Sequence, residues 1–379
     1  MSPIRILHLH STFALGGKEA RAVRLMNAFG AGATHVILSA MPDQMGARDA
    51  IDPGITVDFP TDAPSLQGKP GPLRYWRLAR YMAGFDLVLT YNWCAMDGVM
   101  ARRLYAPVMR LPPIVHHEDG FNSDETQGQK PKRVWFRRLG LSAVAALVVP
   151  SRRLEAVADT VWRQPAARVR WITNGIAVGD YGGAAEPLPG FVRRPGEVVI
   201  GTIAGLRAVK DLPRLVRAVA ALPDHVRLLI VGEGPERAAI LAQAARAGMS
   251  DRVHLAGFHP RPAAVLGHFD IFALSSESEQ FPISVLEAMA AGLPVASPDV
   301  GDVAAMVSVE NRPFVTAGPE PQGLHDALAR LVANDCLRAR LGTANRAVAV
   351  AEYGEAAMIE AYRALYGSVA GKPIQSVCT

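Results

Sequence analysis

The sequence predicts a two-domain α/β protein, each domain a parallel sheet covered by helices on both faces. Three observations lead there. Short apolar runs of strand length alternate with amphipathic helical stretches, as expected for strands buried on both faces. The alternation stops in a stretch rich in Gly and Pro and then restarts. Finally, 379 residues exceed what one ordinary hydrophobic core organises and fall short of three.

In chain order, Arg5-Ile-Leu-His-Leu-His10 reads as the first strand, followed by Gly16-Gly17 and an amphipathic helix over 18–29. His35-Val-Ile-Leu-Ser39 and Asp86-Leu-Val-Leu-Thr90 are further strands, with helical stretches between them. Ala143-Val-Ala-Ala-Leu-Val-Val149 and Val169-Arg-Trp-Ile-Thr173 close the first half. Over 177–196 periodicity fades among Gly182-Gly183, Pro187, Pro189-Gly190 and Pro195-Gly196. The series resumes with strand Val198-Val-Ile-Gly-Thr-Ile203 and a helix over 211–222. Strands Arg227-Leu-Leu-Ile-Val231, Val253-His-Leu255, Ile271-Phe-Ala-Leu274 and Pro294-Val-Ala-Ser297 follow, then Ala-rich helices over 323–341 and 355–365. The expected organisation is a first domain over 1–178, a linker over 179–196 and a second domain over 197–352. A C-terminal helix within 353–379 is expected to pack back on the first domain. Two facing Rossmann-like domains would bind a ligand in the cleft between them.

Half of the chain is hydrophobic and a fifth is charged, with 34 glycines, which excludes a disordered chain, a collagen-like fibre and a disulfide scaffold. Cys94, Cys336 and Cys378 are odd in number and widely spaced, so neither a metal site nor a disulfide framework is expected. A reducing cytoplasm fits. Met1-Ser2-Pro3 leads into a strand broken by Arg5, unlike a signal-peptide core. The longest apolar stretch, 143–150, is far shorter than the ~20 residues of a spanning helix, so a soluble chain is expected. The net charge is a modest +5, but seven basic residues and no acid lie between 126 and 154. Such a patch points to an anionic partner.

The sharpest motif is Glu279-Gln-Phe-Pro-Ile-Ser-Val-Leu-Glu287-Ala-Met-Ala-Ala-Gly-Leu-Pro294. Pro282 suits the first turn of a helix, where a missing N–H costs nothing. The amides of Phe281, Ile283 and Ser284 then point out of the helix start, an anion site reinforced by the macrodipole. Glu287 follows about 7 Å further along the axis, and Glu279 sits in the loop before it. Two carboxylates thus flank one phosphate-binding helix end, with room for a sugar hydroxyl on one side and a ribose on the other.

The stretch 275–295 resembles the C-terminal signature of retaining GT-B glycosyltransferases of the family-4 type (glycosyl transferases group 1): Ser, then Glu-Gly-Phe-Pro, then Leu-Glu-Ala-Met-Ala-x-Gly-x-Pro-Val. Gln280 stands where Gly is usual, which demands a less permissive backbone there. The resemblance extends over nearly the whole chain and is weakest between 40 and 110. It implies a GT-B fold, a donor-sugar contact for Glu279 and a nucleotide-ribose contact for Glu287. It also implies transfer with retention of configuration and without a metal.

Three other clusters carry chemistry. In Ala204-Gly-Leu-Arg207-Ala-Val-Lys210-Asp211, two cations three residues apart after a strand can converge on one diphosphate and stabilise the charge left when a glycosidic C–O bond breaks. The segment resembles the family's Gly-Arg-Leu…Lys-Gly element, whose Arg and Lys grip the donor diphosphate. Ile114-Val-His-His-Glu-Asp-Gly120 places titratable groups after a strand, where an open α/β sheet has its cleft. Many family members carry a His just before a Gly here; in this chain that register holds Asp119, with His116 and His117 upstream. His117 is favoured as the sugar contact, with Asp119 as its neighbour; a hydrogen-bonded structural histidine is the alternative. Gly16-Gly17 matches a family loop near donor phosphate and acceptor, although a tight turn alone would also need it.

Other features carry less. Gly232-Glu-Gly234-Pro lacks the third glycine of a dinucleotide fingerprint, and Asn174-Gly175 reads as an interdomain turn. No Asp-x-Asp and no His/Cys cluster with ligand spacing is present, so no metal or other cofactor is expected. Lys130-Pro-Lys-Arg-Val-Trp-Phe-Arg-Arg138 interleaves cations with aromatics; it reads either as a stretch lying on an anionic membrane surface or as a solvated helix with two core aromatics. No nucleic-acid motif accompanies the charge.

The reading is therefore a metal-independent, hexosyltransferase-type enzyme that moves a sugar from a nucleotide-sugar donor to a glycan, lipid-linked or small-molecule acceptor. Its setting would be polysaccharide or glycolipid biosynthesis, in the cytoplasm or peripheral on the cytoplasmic membrane. Two competitors are a nucleotide-sugar epimerase of the same fold and a non-catalytic sugar-nucleotide-binding protein.

Overall fold

The computed structural model describes residues 2–121, 125, 128–318 and 321–375; Cys378 and Thr126, the first residue of the basic segment, lie outside them. The chain divides into two compact units, Met1–Asn174 with Ala357–Thr379, and Gly175–Ala356.

The first unit runs β1 (Ile4–His10), α1 (Gly17–Phe29), β2 (Ala33–Ser39), β3 (Val57–Asp58), α2 (Pro72–Met82), β4 (Leu87–Tyr91), α3 (Met96–Tyr105), β5 (Ile114–His117), α4 (Pro131–Leu141), β6 (Ala146–Val149), α5 (Arg152–Thr160) and β7 (Val169–Trp171). The strands form one parallel sheet in the order β3-β2-β1-β4-β5-β6-β7. Leu7 and Leu9 of β1 face a core shared with α2, α3, α4 and α5, whereas Ile4 and Ile6 face the opposite one, with α1 and the C-terminal helix. This alternation follows from the two-residue side-chain period of a strand.

The second unit runs β8 (Val198–Ile203), α6 (Leu212–Ala220), β9 (Val226–Val231), α7 (Arg237–Arg246), β10 (Val253–Gly257), α8 (Ala263–Leu266), β11 (Ile271–Ala273), α9 (Ile283–Ala290), β12 (Val295–Pro298), α10 (Val303–Met306), β13 (Val315–Thr316), α11 (Pro321–Val332), α12 (Asp335–Glu352) and α13 (Glu355–Ala370). Its parallel order is β10-β9-β8-β11-β12-β13. From Ala357 onward α13 belongs to the first unit, where Tyr362 and Tyr366 are buried. In each sheet the strand order reverses beside the first strand, between β1 and β4 and between β8 and β11. Loops at the carboxyl ends of such strands splay apart and make a ligand crevice.

Several boundaries differ from expectation. The stretch 179–196 is not a free linker: the second unit begins at Gly175, and Tyr181, Leu188 and Phe191 are buried in its core. Gly and Pro remove periodicity there without removing the apolar anchors. The helix expected over 323–341 breaks at Asn334, whose side chain accepts from the Leu337 amide and caps α12. The strand expected over 143–149 starts at Ala146, because Ala143 and Val144 close a turn after α4. The two-residue edge strands β3 and β13 are too short to leave a periodic signal.

Candidate functional site

The loops after β8 and β11 meet at the switch point of the second sheet. The β8 loop ends in a 3-10 turn, Ala208–Lys210, and Asp211 caps α6 from a left-handed conformation (φ 38°), its carboxylate accepting from the Arg214 amide at 3.1 Å. Lys210 thereby reaches the β11 loop, where its Nζ donates to Glu279 Oε1 at 2.5 Å. Ser276 Oγ donates to the same oxygen at 2.7 Å, and Ser275 Oγ to the Lys210 carbonyl at 2.8 Å. Arg214, buried on α6, donates to the Ser276 carbonyl at 3.1 Å and also to that of Ser275. Both bonds engage Oε1 of Glu279.

The same loop then runs into α9. Pro282 is its N-cap residue rather than part of the first turn, and the first amides to bond back are those of Val285 and Leu286. The amides of Ile283 and Ser284 therefore precede the intrahelical ladder, as helix geometry requires. Phe281 is buried and stacks edge-on against Tyr353, which anchors the helix start. Glu287, half-buried one turn along, accepts from the Tyr181 hydroxyl at 3.2 Å.

The structure brings Lys210, Glu279 and the α9 start together but does not join Arg207 to Lys210. Arg207 lies exposed on the same loop, and Lys210 is committed to a carboxylate rather than left as half of a cationic pair. The two expected to converge on one diphosphate are thus differently employed in this state.

Residues that sequence reasoning passed over support the site. Gly232 and Gly234, set aside with their incomplete fingerprint, have φ of 145° and 156°. A Cβ at Gly232 would lie 1.9 Å from the Ala204 carbonyl oxygen, and one at Gly234 2.5 Å from that of Leu206, so these glycines let the β9 loop seat the Arg207 loop. Gly301 (φ 56°) does the same under Gln280: its Cβ would lie 2.5 Å from the Gln280 oxygen, which accepts from the Asp302 amide at 2.9 Å. Gln280 itself has no positive φ, so the backbone constraint expected there falls on Gly301. Tyr181 and Arg214 left no local signal, because their partners lie 106 and 61–62 residues away.

The titratable cluster of the first unit is sealed. His116 and His117 lie within β5, not after it, and both are buried. His117 Nε2 accepts from the Tyr366 hydroxyl at 2.7 Å while Nδ1 donates to the Thr90 carbonyl at 3.2 Å. Burial and the nearby Arg21 guanidinium push its pKa down to about 3. Both ring nitrogens of His117 are committed within the first unit, as in a hydrogen-bonded structural histidine. His116 is held likewise by Thr90 and Glu118.

Asp119 forms a bidentate pair with Arg21, at 2.5 and 2.8 Å, and Arg21 also donates to Asn174 at 2.8 Å. Burial pushes the Asp119 carboxyl up, but Arg21 outweighs it and holds it below the usual range. Asn174, read as a turn, is thus part of this buried network. Gly16 and Gly17 are exposed at the start of α1, yet the Glu19 carboxylate lies 3.0 Å from where a Gly16 Cβ would stand, so this helix start already faces an anion.

The 130–138 segment is also built into the fold. Arg137 is buried, its guanidinium bonded to Glu118 at 3.2 and 3.3 Å and to Glu125 at 3.4 Å. Trp93 and Trp162 lie over it with ring centroids 5.0 and 5.1 Å away. Arg133 pairs with Glu125 at 2.9 Å, and Arg138 donates to the Val161 carbonyl at 2.7 Å. One cation of the segment, Arg137, is therefore internal, Arg133 and Arg138 are partly buried, and Lys130 and Lys132 stay exposed. No described helix is long and apolar enough to cross a membrane.

Residues 190–348 match the family model described as glycosyl transferases group 1. The chain is 27% identical to N-acetyl-alpha-D-glucosaminyl L-malate synthase of Bacillus anthracis over 46% of each chain. It is 29% identical to the GDP-mannose-dependent alpha-mannosyltransferase of Mycobacterium tuberculosis over 71% of each. The chain thus spans about half the length of the first curated relatives it matches. Among solved structures, HepE of Anabaena, crystallised with UDP, superimposes with a TM-score of 0.76 at 19% identity, over 96% of this chain and all of that one. The fold is that of the GT-B glycosyltransferases.

Proposed function

We propose that the chain, whose residues 190–348 match the model of glycosyl transferases group 1, transfers a sugar from a nucleotide diphosphate donor to an acceptor hydroxyl. The observation that carries this is the Lys210–Glu279–Ser276 cluster set against the start of α9, with Glu287 one turn along.

A donor diphosphate fits the amides of Ile283 and Ser284, where backbone dipoles favour negative charge. Glu279 Oε2 accepts a sugar hydroxyl, and Glu287, oriented by Tyr181, accepts from the ribose. When the bond between the anomeric carbon and the diphosphate oxygen breaks, its electron pair passes to the diphosphate, while the acceptor oxygen bonds to the anomeric carbon and gives its proton to the departing diphosphate. Arg207, the Lys210 ammonium and the helix start stabilise that charge, and stabilisation aimed at developing charge is what lowers the barrier. No side chain is assigned as nucleophile. Retention of configuration and independence from metal are part of the proposal, as are a glycan, lipid-linked or small-molecule acceptor and a role in polysaccharide or glycolipid synthesis. His117 is left out of the site.

Thermal unfolding with UDP-, GDP-, ADP- and dTDP-sugars, with and without EDTA, tests this. One nucleotide raising Tm equally in EDTA supports a metal-free donor site. A shift abolished by EDTA refutes metal independence, and no shift with any donor refutes the site.

A further inference from the structure

Among the described buried residues of α6, Arg214 alone is charged. The others, Leu212, Leu215, Val216, Ala218 and Val219, belong to an apolar core. A helix that had only to pack would carry a hydrophobic residue in its place, because exchanging a buried ion pair for well-packed apolar side chains is often neutral or stabilising. The guanidinium is 4% exposed and turns toward one loop, where it donates to the Ser276 carbonyl at 3.1 Å and also to that of Ser275. Its Nε lies 3.5 Å from the carboxylate of Asp211, which in turn accepts from the Arg214 amide. Asp211 keeps a left-handed backbone that glycine would adopt without strain, and glycine is the residue of the resembling Lys-Gly element. A strained Asp is thus held beside a buried Arg where the β8 loop enters α6.

The peptide units that Arg214 grips carry the hydroxyls of the site. Ser276 Oγ donates to Glu279 Oε1 at 2.7 Å, and Ser275 Oγ to the Lys210 carbonyl at 2.8 Å. The Glu277 amide adds a bond to the Val209 carbonyl at 2.9 Å, so the β8 and β11 loops are stitched along their length. Within that seam Arg214 is the member rooted in a core helix. A side chain supported from a helix is held more precisely than one supported from a loop.

We propose that Arg214, oriented by Asp211, is a positioning residue for sugar transfer: by forking onto the Ser275 and Ser276 carbonyls it sets the angle at which Glu279 meets the donor sugar. The inference rests on the donor-site reading above and goes beyond it, since Arg214 acts through Ser276 and Glu279 rather than on the donor. The diphosphate and ribose contacts proposed for the α9 amides and Glu287 do not run through it.

Calorimetric titration of the full chain with UDP and UDP-glucose, GDP and GDP-mannose, ADP and ADP-glucose, and dTDP and dTDP-glucose identifies the pair that binds. It also gives the ratio of the conjugate's dissociation constant to the nucleotide's, and hydrolysis of the bound donor gives kcat and KM. Arg214→Lys keeps a cation beside Asp211 but has no planar fork for two carbonyls. It is expected to leave nucleotide affinity as in the wild type, to raise the ratio about tenfold and to lower kcat about a hundredfold. Ser276→Ala, which spares the buried core, is expected to raise the ratio about two- to tenfold, the worth of one hydrogen bond. In the double variant the two losses are expected not to add, because both act through Glu279. Circular dichroism checks that each variant is folded. A lowered Tm with unchanged ratio and kcat, equal weakening of nucleotide and conjugate, or full additivity makes Arg214 purely structural and overturns the proposal while the donor site stands. If no pair binds the wild type, the donor-site reading itself fails and this inference falls with it.

Discussion

The two units place charged residues at equivalent points, beside the strand-order reversal of a parallel sheet, and use them in opposite ways. In the second unit the Lys210–Glu279 pair stays partly open, at 16% and 12% exposure, and is held by one serine and the loop carbonyl contacts of Arg214. In the first unit Arg21 of α1, His117 and Asn174 are buried, with Asp119 at their edge at 14% exposure, and the contacts run among them and to Tyr366 of α13. The same residue types therefore form a loop cluster, where the donor is proposed to bind, in one case and a largely buried polar network in the other. What separates them is the cover: Tyr362 and Tyr366 of α13 lie across the first cluster.

The largest expected effect breaks the sealed cluster. Arg21→Met leaves Asp119 as a buried charge without its partner, and is expected to lower stability by about 3–5 kcal/mol. All five tryptophans, from Trp76 to Trp171, lie in the first unit, so denaturant unfolding followed by their fluorescence reads that unit alone. An unchanged midpoint would mean that the cluster is not structural.

Acidification probes the same region. Burial pushes His8, His10 and His117 down, His117 to about 3, and His35 to about 4. Between the unfolded histidine value of about 6.5 and these folded values, the unfolded chain binds more protons. Stability of the first unit is thus complete above neutrality and lost as pH falls through that window. Asp119, held low, adds loss in the same direction near the bottom of it. Tryptophan-detected melting from pH 7 to pH 4 checks the sign; a flat profile contradicts it.

In the open site, Lys210→Ala is expected to leave the tryptophan-detected transition unchanged while removing donor stabilisation. At about 100 times the dissociation constant that stabilisation is roughly 2.7 kcal/mol in the wild type. A lost shift with an unmoved first unit would sharpen the contrast, and a retained shift would reassign the lysine. Gly301→Ala forces a side chain into a left-handed position against the Gln280 carbonyl, at a cost of about 1–3 kcal/mol. Circular dichroism melting measures it. Tyr181→Phe removes one hydrogen bond to Glu287, about 0.5–1.5 kcal/mol, and a slightly smaller nucleotide-induced shift is the readout.

The residues proposed for the donor side could be grouped from the sequence because they are local. Pro282, Phe281 and Glu287 sit within two helical turns, so spacing alone places them around one helix start. Lys210 and Glu279, 69 residues apart, could each be named from the local pattern, though their contact could not. The surroundings of His117 were not legible, because a histidine after apolar residues has the same spelling whether the strand end is open or covered. The cover, Tyr366, lies 249 residues further along. The 130–138 segment left two readings open for the same reason: a helix shows its charges in sequence but not which face of it meets Glu118 and Glu125.

By itself the sequence determined that there are two parallel α/β units, since strand and helix periodicities are short-range properties of the chain. It also determined the helix start that offers amides to an anion. Only the tertiary structure decided where the first unit ends, which charges are sealed and which remain open. Burial and ion pairing depend on elements brought together from distant parts of the chain, and desolvation then decides whether a charge serves the fold or a ligand.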